Sequence, residues 1–341
     1  MQITSLKKIA FILIFLLIYA AFTPASADFS PFQTRDQNPF NLIQGQPLPV
    51  NAAIARKNQL LWTSTLTITN TSNVQQLPDE AIQLDYESYR FNLGLQYGFS
   101  NNWAVSMTLP FIYKGGGFLD DSINSWHHFF NQPQGNRPNV ANNQYNIQRV
   151  QNNAMTTDLQ SASSGIGDLQ LSLAYLLTTS TTNRISLWTG LKLPTGDSAK
   201  LNSNDAIDAS IWLALNHQLA QHWFFNTNAG VVLPAIIITG SRNANNSGIS
   251  DQVFYGHAML AWQVLDGLDL KLQLAGHTSY YKNSGLLLLG TTYFTTFGGT
   301  IHLNRCNNID IGINEDIKVA ASPDVSFLFS WRHQGSCQTD N

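Results

Sequence analysis

The 341-residue chain has a formal charge of −3, and only 11% of its residues are charged although 43% are hydrophobic. Soluble domains usually carry about 25% charged residues, so this surface is costly in water and suited to lipid. No basic surplus points to nucleic acid, and the length admits one large domain.

At the N-terminus, Lys7 and Lys8 precede the apolar run IAFILIFLLIYAAF and then Thr23-Pro24-Ala25-Ser26-Ala27. These are the basic, apolar and A-x-A parts of a secretory signal, and the run is short of the ~20 residues of a spanning helix. Residues 1–27 are therefore expected to be a signal peptide cut after Ala27, with the mature protein starting at Asp28. No later stretch is apolar for long enough to be a membrane helix; VVLPAIII at 231–238 falls well short. Residues 28–58 do not alternate, and Pro31, Pro39, Pro47 and Pro49 argue against strand pairing. Phe29, Phe32, Phe40 and Leu42 nevertheless need burial. The segment is either a periplasmic tail or a plug folded into the body of the protein.

From residue 59 to 341 strict alternation dominates. In GDLQLSLAYLL, Leu169, Leu171, Leu173, Tyr175 and Leu177 share one face, and Asp168, Gln170, Ser172 and Ala174 the other. WAVSMTLPFIY, LDLKLQLAGH and VSFLFSWR repeat the pattern, which is that of strands with one apolar and one polar face. Twelve such strands are expected, at 60–71, 82–98, 103–114, 168–178, 184–195, 206–217, 222–234, 253–264, 268–280, 291–304, 309–318 and 325–333. Tight connections alternate with longer ones near 72–81, 115–167, 196–205, 235–252, 281–290 and 319–324. The fold class is thus all-β, a transmembrane antiparallel up-and-down barrel with short periplasmic turns and long extracellular loops. Trp62, Trp103, Tyr113, Trp223 and Trp331 lie near strand ends, as in interfacial aromatic girdles. A soluble sandwich also alternates, but its polar faces carry more charge.

By alternation the inward positions include Arg90, Gln96, Gln170, Trp188, Lys192, Asp208, Trp212, Tyr255, His257 and Lys271, with Asn92, Asn226, Asn228, His302, Asp310, Asn314 and Arg332. Lys192 and Asp208 lie about equally far from the loop joining their strands and are candidates for an ion pair. These residues either pack the lumen or line a polar, aromatic passage for a small solute.

The longest loop, 115–167, holds GGGFLDDSINSWHHFFNQPQGNR. Asp120, Asp121 and Ser122 suit a helix N-cap, and Leu119, Ile123, Trp126 and Phe130 then share one face. Pro133 and Gly135 would end the helix, and Gly115 to Gly117 would hinge it. A lid over the lumen mouth, carrying His127 and His128, is the first reading, an interfacial anchor the second. Adjacent histidines diverge on a helix, which makes a metal site poor. Cys306, in the turn between strands ten and eleven, and Cys337, after strand twelve, reach the same rim, so a disulfide in the oxidising periplasm is expected; a free buried pair is the alternative.

Enzyme motifs such as GxSxG, HExxH and CxxC are missing. The residual hydrolase candidates are His127 or His128 with Asp120, Asp121 or Ser122, and His277 with Ser279. No cofactor is implied.

The segments SPFQTRDQNPFNLI, WAVSMTLPFIYKGGGFLDDSINSWHHFF, GIGDLQLSLAY, LKLPTGD and EDIKVAASPDVSFLFSWR resemble exported proteobacterial proteins grouped as domain of unknown function 3187. The resemblance spans nearly the whole mature chain and implies an outer-membrane barrel, with no activity and no site residues. LKLPTGD alone also looks like barrels grouped as outer-membrane transporters for aromatic degradation. Together these readings give an outer-membrane channel or transporter of a Gram-negative bacterium for a small molecule, hydrophobic ones included, gated by the 115–167 loop. A closed envelope-maintenance barrel and a rim-located hydrolase are the alternatives. The expected partners are the outer-membrane bilayer with its lipopolysaccharide, the barrel-assembly machinery and an unidentified solute.

Overall fold

The computed structural model describes residues 29–130, 142–180, 182–234, 248–317 and 325–335. An extended segment with one short helix, α1 (Pro39–Leu42), leads into β1 (Leu60–Gln76), β2 (Glu80–Gly98) and β3 (Trp103–Gly115). Next come the helix α2 (Asp120–Phe130) and three short strands, β4 (Asn146–Gln151), β5 (Ala154–Leu159) and β6 (Ser163–Ile166). The chain continues through β7 (Leu169–Thr179), β8 (Asn183–Leu193), β9 (Asp208–Ala220), β10 (Trp223–Leu233), β11 (Val253–Leu265) and β12 (Leu268–His277). It ends with β13 (Thr292–Asn304), β14 (Asn307–Asp316) and β15 (Val325–Gln334). Without β4, β5 and β6, twelve long strands pair antiparallel with their neighbours, and β15 returns to β1, from Leu61 opposite Gln334 to Asn70 opposite Val325. The ring is closed and leaves no long edge.

Alternation decides which way each side chain points. On β12, Leu270, Leu272 and Leu274 stand exposed, while Asp269, Lys271 and Gln273 between them are buried. The same inversion recurs at Leu171 and Leu173 on β7 and at Ile211 and Leu213 on β9. An apolar exterior around a polar interior is stable against hydrocarbon and costly in water. At the rim of short turns the exterior is aromatic: Trp62 and Trp331 meet edge to face at 5.4 Å, Trp103 packs on Tyr175 at 4.6 Å, and Trp223 stacks on Trp262 at 5.6 Å.

Two departures from the expected strands have local causes. The segment near 72–81, expected as a longer loop, is a tight hairpin, because β1 and β2 keep pairing to Gln76 opposite Ala81. The described part of the 115–167 segment also carries regular elements: β4 pairs with the projecting part of β2, and β5 with β4. Where β6 gives way to β7, the partner strand presents Pro110, which has no N–H to offer. The ladder breaks there, Gly167 N donates to the Pro110 carbonyl at 2.8 Å, and Asp168 turns into the lumen.

Candidate functional site

The lumen is occupied by the chain's own N-terminal segment. Phe29 stacks on Phe224 near the short-turn rim, with ring centroids 3.3 Å apart. From there the chain climbs beside β12. Phe32 N donates to Gln273 Oε1 at 3.0 Å, Gln273 Nε2 returns a bond to the Phe32 carbonyl at 3.1 Å, and Asp36 meets His277 Nε2 at 3.1 Å. At the long-loop rim Asn38 Nδ2 bonds the Leu288 carbonyl at 2.6 Å and its Oδ1 accepts from Phe40 N at 3.0 Å, capping α1. The chain then descends past β10, β9 and β2. Val50 N donates to Asn228, Ala52 N to Asn216 and Ala55 N to Gln96, at 2.8, 3.0 and 2.5 Å. It joins the sheet where Lys57 bridges Gly98. Arg35 clasps the two limbs, giving hydrogen bonds to the carbonyls of Leu42, Gln44 and Gln46 at 3.0, 3.3 and 2.5 Å. Prolines suit this path, because its backbone bonds to wall side chains and only at its end to a strand.

Most candidate lining residues meet this segment. Lys192 Nζ lies 2.8 Å from Asp168 and 3.2 Å from Asp208, donates to the Ile43 carbonyl at 3.0 Å and also bonds Asn204. Gln170 bonds the Gln46 carbonyl at 3.4 Å. Lys271 pairs with Asp310 at 2.8 Å, donates to the Ser30 carbonyl at 3.0 Å and sits 4.3 Å from the Phe32 ring centroid. Trp188 and Trp212 stack at 5.6 Å in a buried cluster with Ala52, Ile54 and Ala55 of the descending limb. Tyr255 packs against this cluster, His257 bonds Asn226 at 2.6 Å, and Arg90 bonds Asn92 at 3.2 Å. The Tyr255 hydroxyl and Trp212 Nε1 are buried with no hydrogen-bond partner.

Helix α2 begins at Asp120, one residue earlier than a cap at Asp120 would give, so Asp120 and Asp121 occupy its first turn, where the helix dipole favours acids. Buried Glu87 accepts from Phe118 N at 2.8 Å and from Leu119 N. Ile123 is buried, Leu119 half-buried and His128 exposed. The side chains of Trp126, His127 and Phe130 lie outside the described residues, as do Pro133, Gly135, Cys337 and the leader. His277 engages Asp36 and the Thr278 carbonyl, whereas Ser279 Oγ donates to the carbonyls of Tyr281 and Leu289. The two therefore form no nucleophile–base pair.

Sequence reasoning missed Arg35, Asp36 and Asn38, which sit in the aperiodic segment, and Arg149 on β4. Arg149 stands at the long-loop mouth with its guanidinium carbon 5.4 Å from the Phe40 ring centroid and 4.7 Å from that of Tyr281. Burial pushes the Tyr281 phenol above its ordinary pKa, with Arg149 partly opposing, so the hydroxyl stays protonated and donates to the Phe40 carbonyl at 2.7 Å. Beside them lies a cavity of about 240 Å³.

A closed twelve-stranded ring, apolar outside and polar inside, defines the outer-membrane β-barrel class. Within that class the chain belongs to the family described as "Protein of unknown function (DUF3187)", whose model matches residues 9–334. No curated protein matches it in sequence. Among solved structures it is similar to the COG4313 outer membrane channel from Pseudomonas putida F1. The identity is 11% and the TM-score 0.52, over 86% of this chain and 97% of that one. The KdgM porin (5% identity, TM-score 0.43, 82% and 99% covered) and the P. putida toluene transporter TodX (11%, 0.39, 94% and 99%) are more distant in shape.

Proposed function

We propose that the protein is an outer-membrane channel for a small molecule, exported with cleavage after Ala27, in which residues 29–58 form a plug that must move for passage. The carrying observation is how the two limbs are fastened. Side-chain amides of the wall, not strand backbone, hold the segment: Gln96 and Asn216 each take one N–H, and Asn228 and Gln273 each take the N–H and the carbonyl of one residue, while strand-like pairing is confined to the bridge at Lys57. Such bonds are worth ~0.5–1.5 kcal/mol each and exchange for water, which suits a removable obstruction better than a permanent core. The unpartnered Tyr255 hydroxyl and Trp212 Nε1 add wall groups that water or a solute would satisfy. At the outer mouth, Arg149 of the 115–167 segment touches Phe40 at the turn of the plug, which makes that segment part of the gate. The solved structure sharing the fold is described as an outer membrane channel, in keeping with this reading.

The test is single-channel conductance of the full chain and of a chain lacking residues 29–57, each checked for heat-modifiable migration on gels. The full chain is expected to stay mostly closed and the shortened barrel to conduct steadily, at several-fold higher mean current. A folded, shortened barrel that remains silent would overturn the proposal in favour of a closed structural barrel.

A further inference from the structure

Arg149 is unlike the other buried arginines. It is 8% exposed, and its guanidinium rests between the Phe40 and Tyr281 rings. Arg35 satisfies three carbonyls and Arg332 lies 3.1 Å from Asp310. Among the described residues, Arg90 also lacks a carboxylate but donates its Nε to Asn92 at 3.2 Å, whereas the Arg149 guanidinium meets neither a carboxylate nor another hydrogen-bond acceptor, and its Nε is buried without a partner. A buried cation is ordinarily paired, because desolvation is otherwise uncompensated. Aromatic faces recover part of that cost but leave the hydrogen-bonding edge of the fork unused.

That edge borders the 240 Å³ cavity, whose remaining wall combines apolar Ile43, Leu201 and Ile249 with polar Gln44, Thr157 and Asn204. The space is below the ~300–1,000 Å³ of pockets for drug-sized ligands. An occupant must therefore be small, anionic at one end and apolar at the other. A planar guanidinium matches a carboxylate, with two parallel N–H···O bonds available.

We propose that this cavity is a binding site for a small organic monocarboxylate with an apolar body, its carboxylate on Arg149 and its body against Phe40, Ile43 and Ile249. Because Phe40, Ile43 and Gln44 belong to the turn of the N-terminal segment, occupancy bears directly on the plug. The inference deepens the channel reading and rests on it for its meaning, but it is tested by equilibrium binding. A protein that binds without conducting is thereby distinguished from one that conducts without binding here.

Benzoate is the probe, with benzamide as its neutral isostere and inorganic phosphate as an anion lacking an apolar body. Calorimetry or ligand-detected NMR is run on the full chain in detergent. Benzoate is expected to bind at least tenfold more tightly than benzamide, and phosphate not to compete. Arg149→Gln should weaken benzoate at least tenfold and leave benzamide unchanged. Ile249→Trp, which fills the cavity from another lining position and spares the cation, should weaken both, and this second variant carries the test if the first fails to fold. Equal binding of benzoate and benzamide, full binding by Arg149→Gln, or phosphate competing as well as benzoate would each overturn the proposal.

Discussion

Asp310 shows how single residues set the character of this lumen. Its carboxylate is fully buried, 2.8 Å from Lys271 Nζ and 3.1 Å from Arg332 Nε, and accepts the Thr300 hydroxyl at 2.6 Å. Two cations thus share one anion, and Lys271 also reaches the Ser30 carbonyl of the N-terminal segment. Asp310→Asn keeps the shape and leaves both cations facing an amide. Breaking a buried pair in this way costs about 3–5 kcal/mol, so the midpoint of urea unfolding, followed by loss of the heat-modifiable band, is expected to fall clearly; an unchanged midpoint would mean that water already reaches the cations. Strand alternation makes the inward side of such residues legible, Lys192 and Asp208 included. Their partners on the N-terminal segment are not legible, since a proline-rich stretch has no period to set its register. Nothing in the spacing tells that Gly45 lies against Asp208, so close that a Cβ there would fall 2.5 Å from the Asp208 Cβ.

Whole elements differ in the same way. The hairpin β4–β5 was legible in principle: NIQRVQ and AMTTDL alternate around Asn152-Asn153, and both asparagines take positive φ, at 52° and 60°, as a type I′ turn requires. A long interval between two strong strands makes such a pair easy to absorb into a loop, and Arg149 is hidden with it. The glycines before α2 were legible as special for a different reason than a hinge. Gly117 has φ +72°, and a Cβ there would lie 1.8 Å from the Glu87 carboxyl carbon, so its bareness lets residues 118 and 119 dock on that carboxylate. Gly117→Ala is expected to release the start of α2 while the barrel closes normally. Limited proteolysis on intact cells should then show cleavage within 115–130 at least tenfold faster, with heat-modifiable migration retained; wild-type protection would mean that Glu87 does not hold the helix.

For the whole molecule, the closed ring was the most legible feature, because twelve alternating strands in sequence have few solutions once the apolar faces must meet lipid. Where the chain ends is constrained by the same geometry. The Cys306 carbonyl, in the β13–β14 turn, accepts from Gln334 N at 2.9 Å, which brings the tail to that turn three residues before Cys337. A span of three residues reaches at most about 10 Å, so the two thiols can meet, and we propose that they form a disulfide in the oxidising periplasm. Closing roughly 30 residues of chain restrains the unfolded state by about 3–4 kcal/mol in the chain-entropy model. Much of that is expected to survive in the measurement, because the bond acts on the unfolded chain and asks nothing further of strands already paired. Intact mass under non-reducing conditions should be two daltons below the reduced value, and Cys337→Ser should lower the urea midpoint of the oxidised barrel to that of the reduced wild type. Two alkylatable thiols in protein taken from the outer membrane would show that the tail is fastened by its backbone contacts alone.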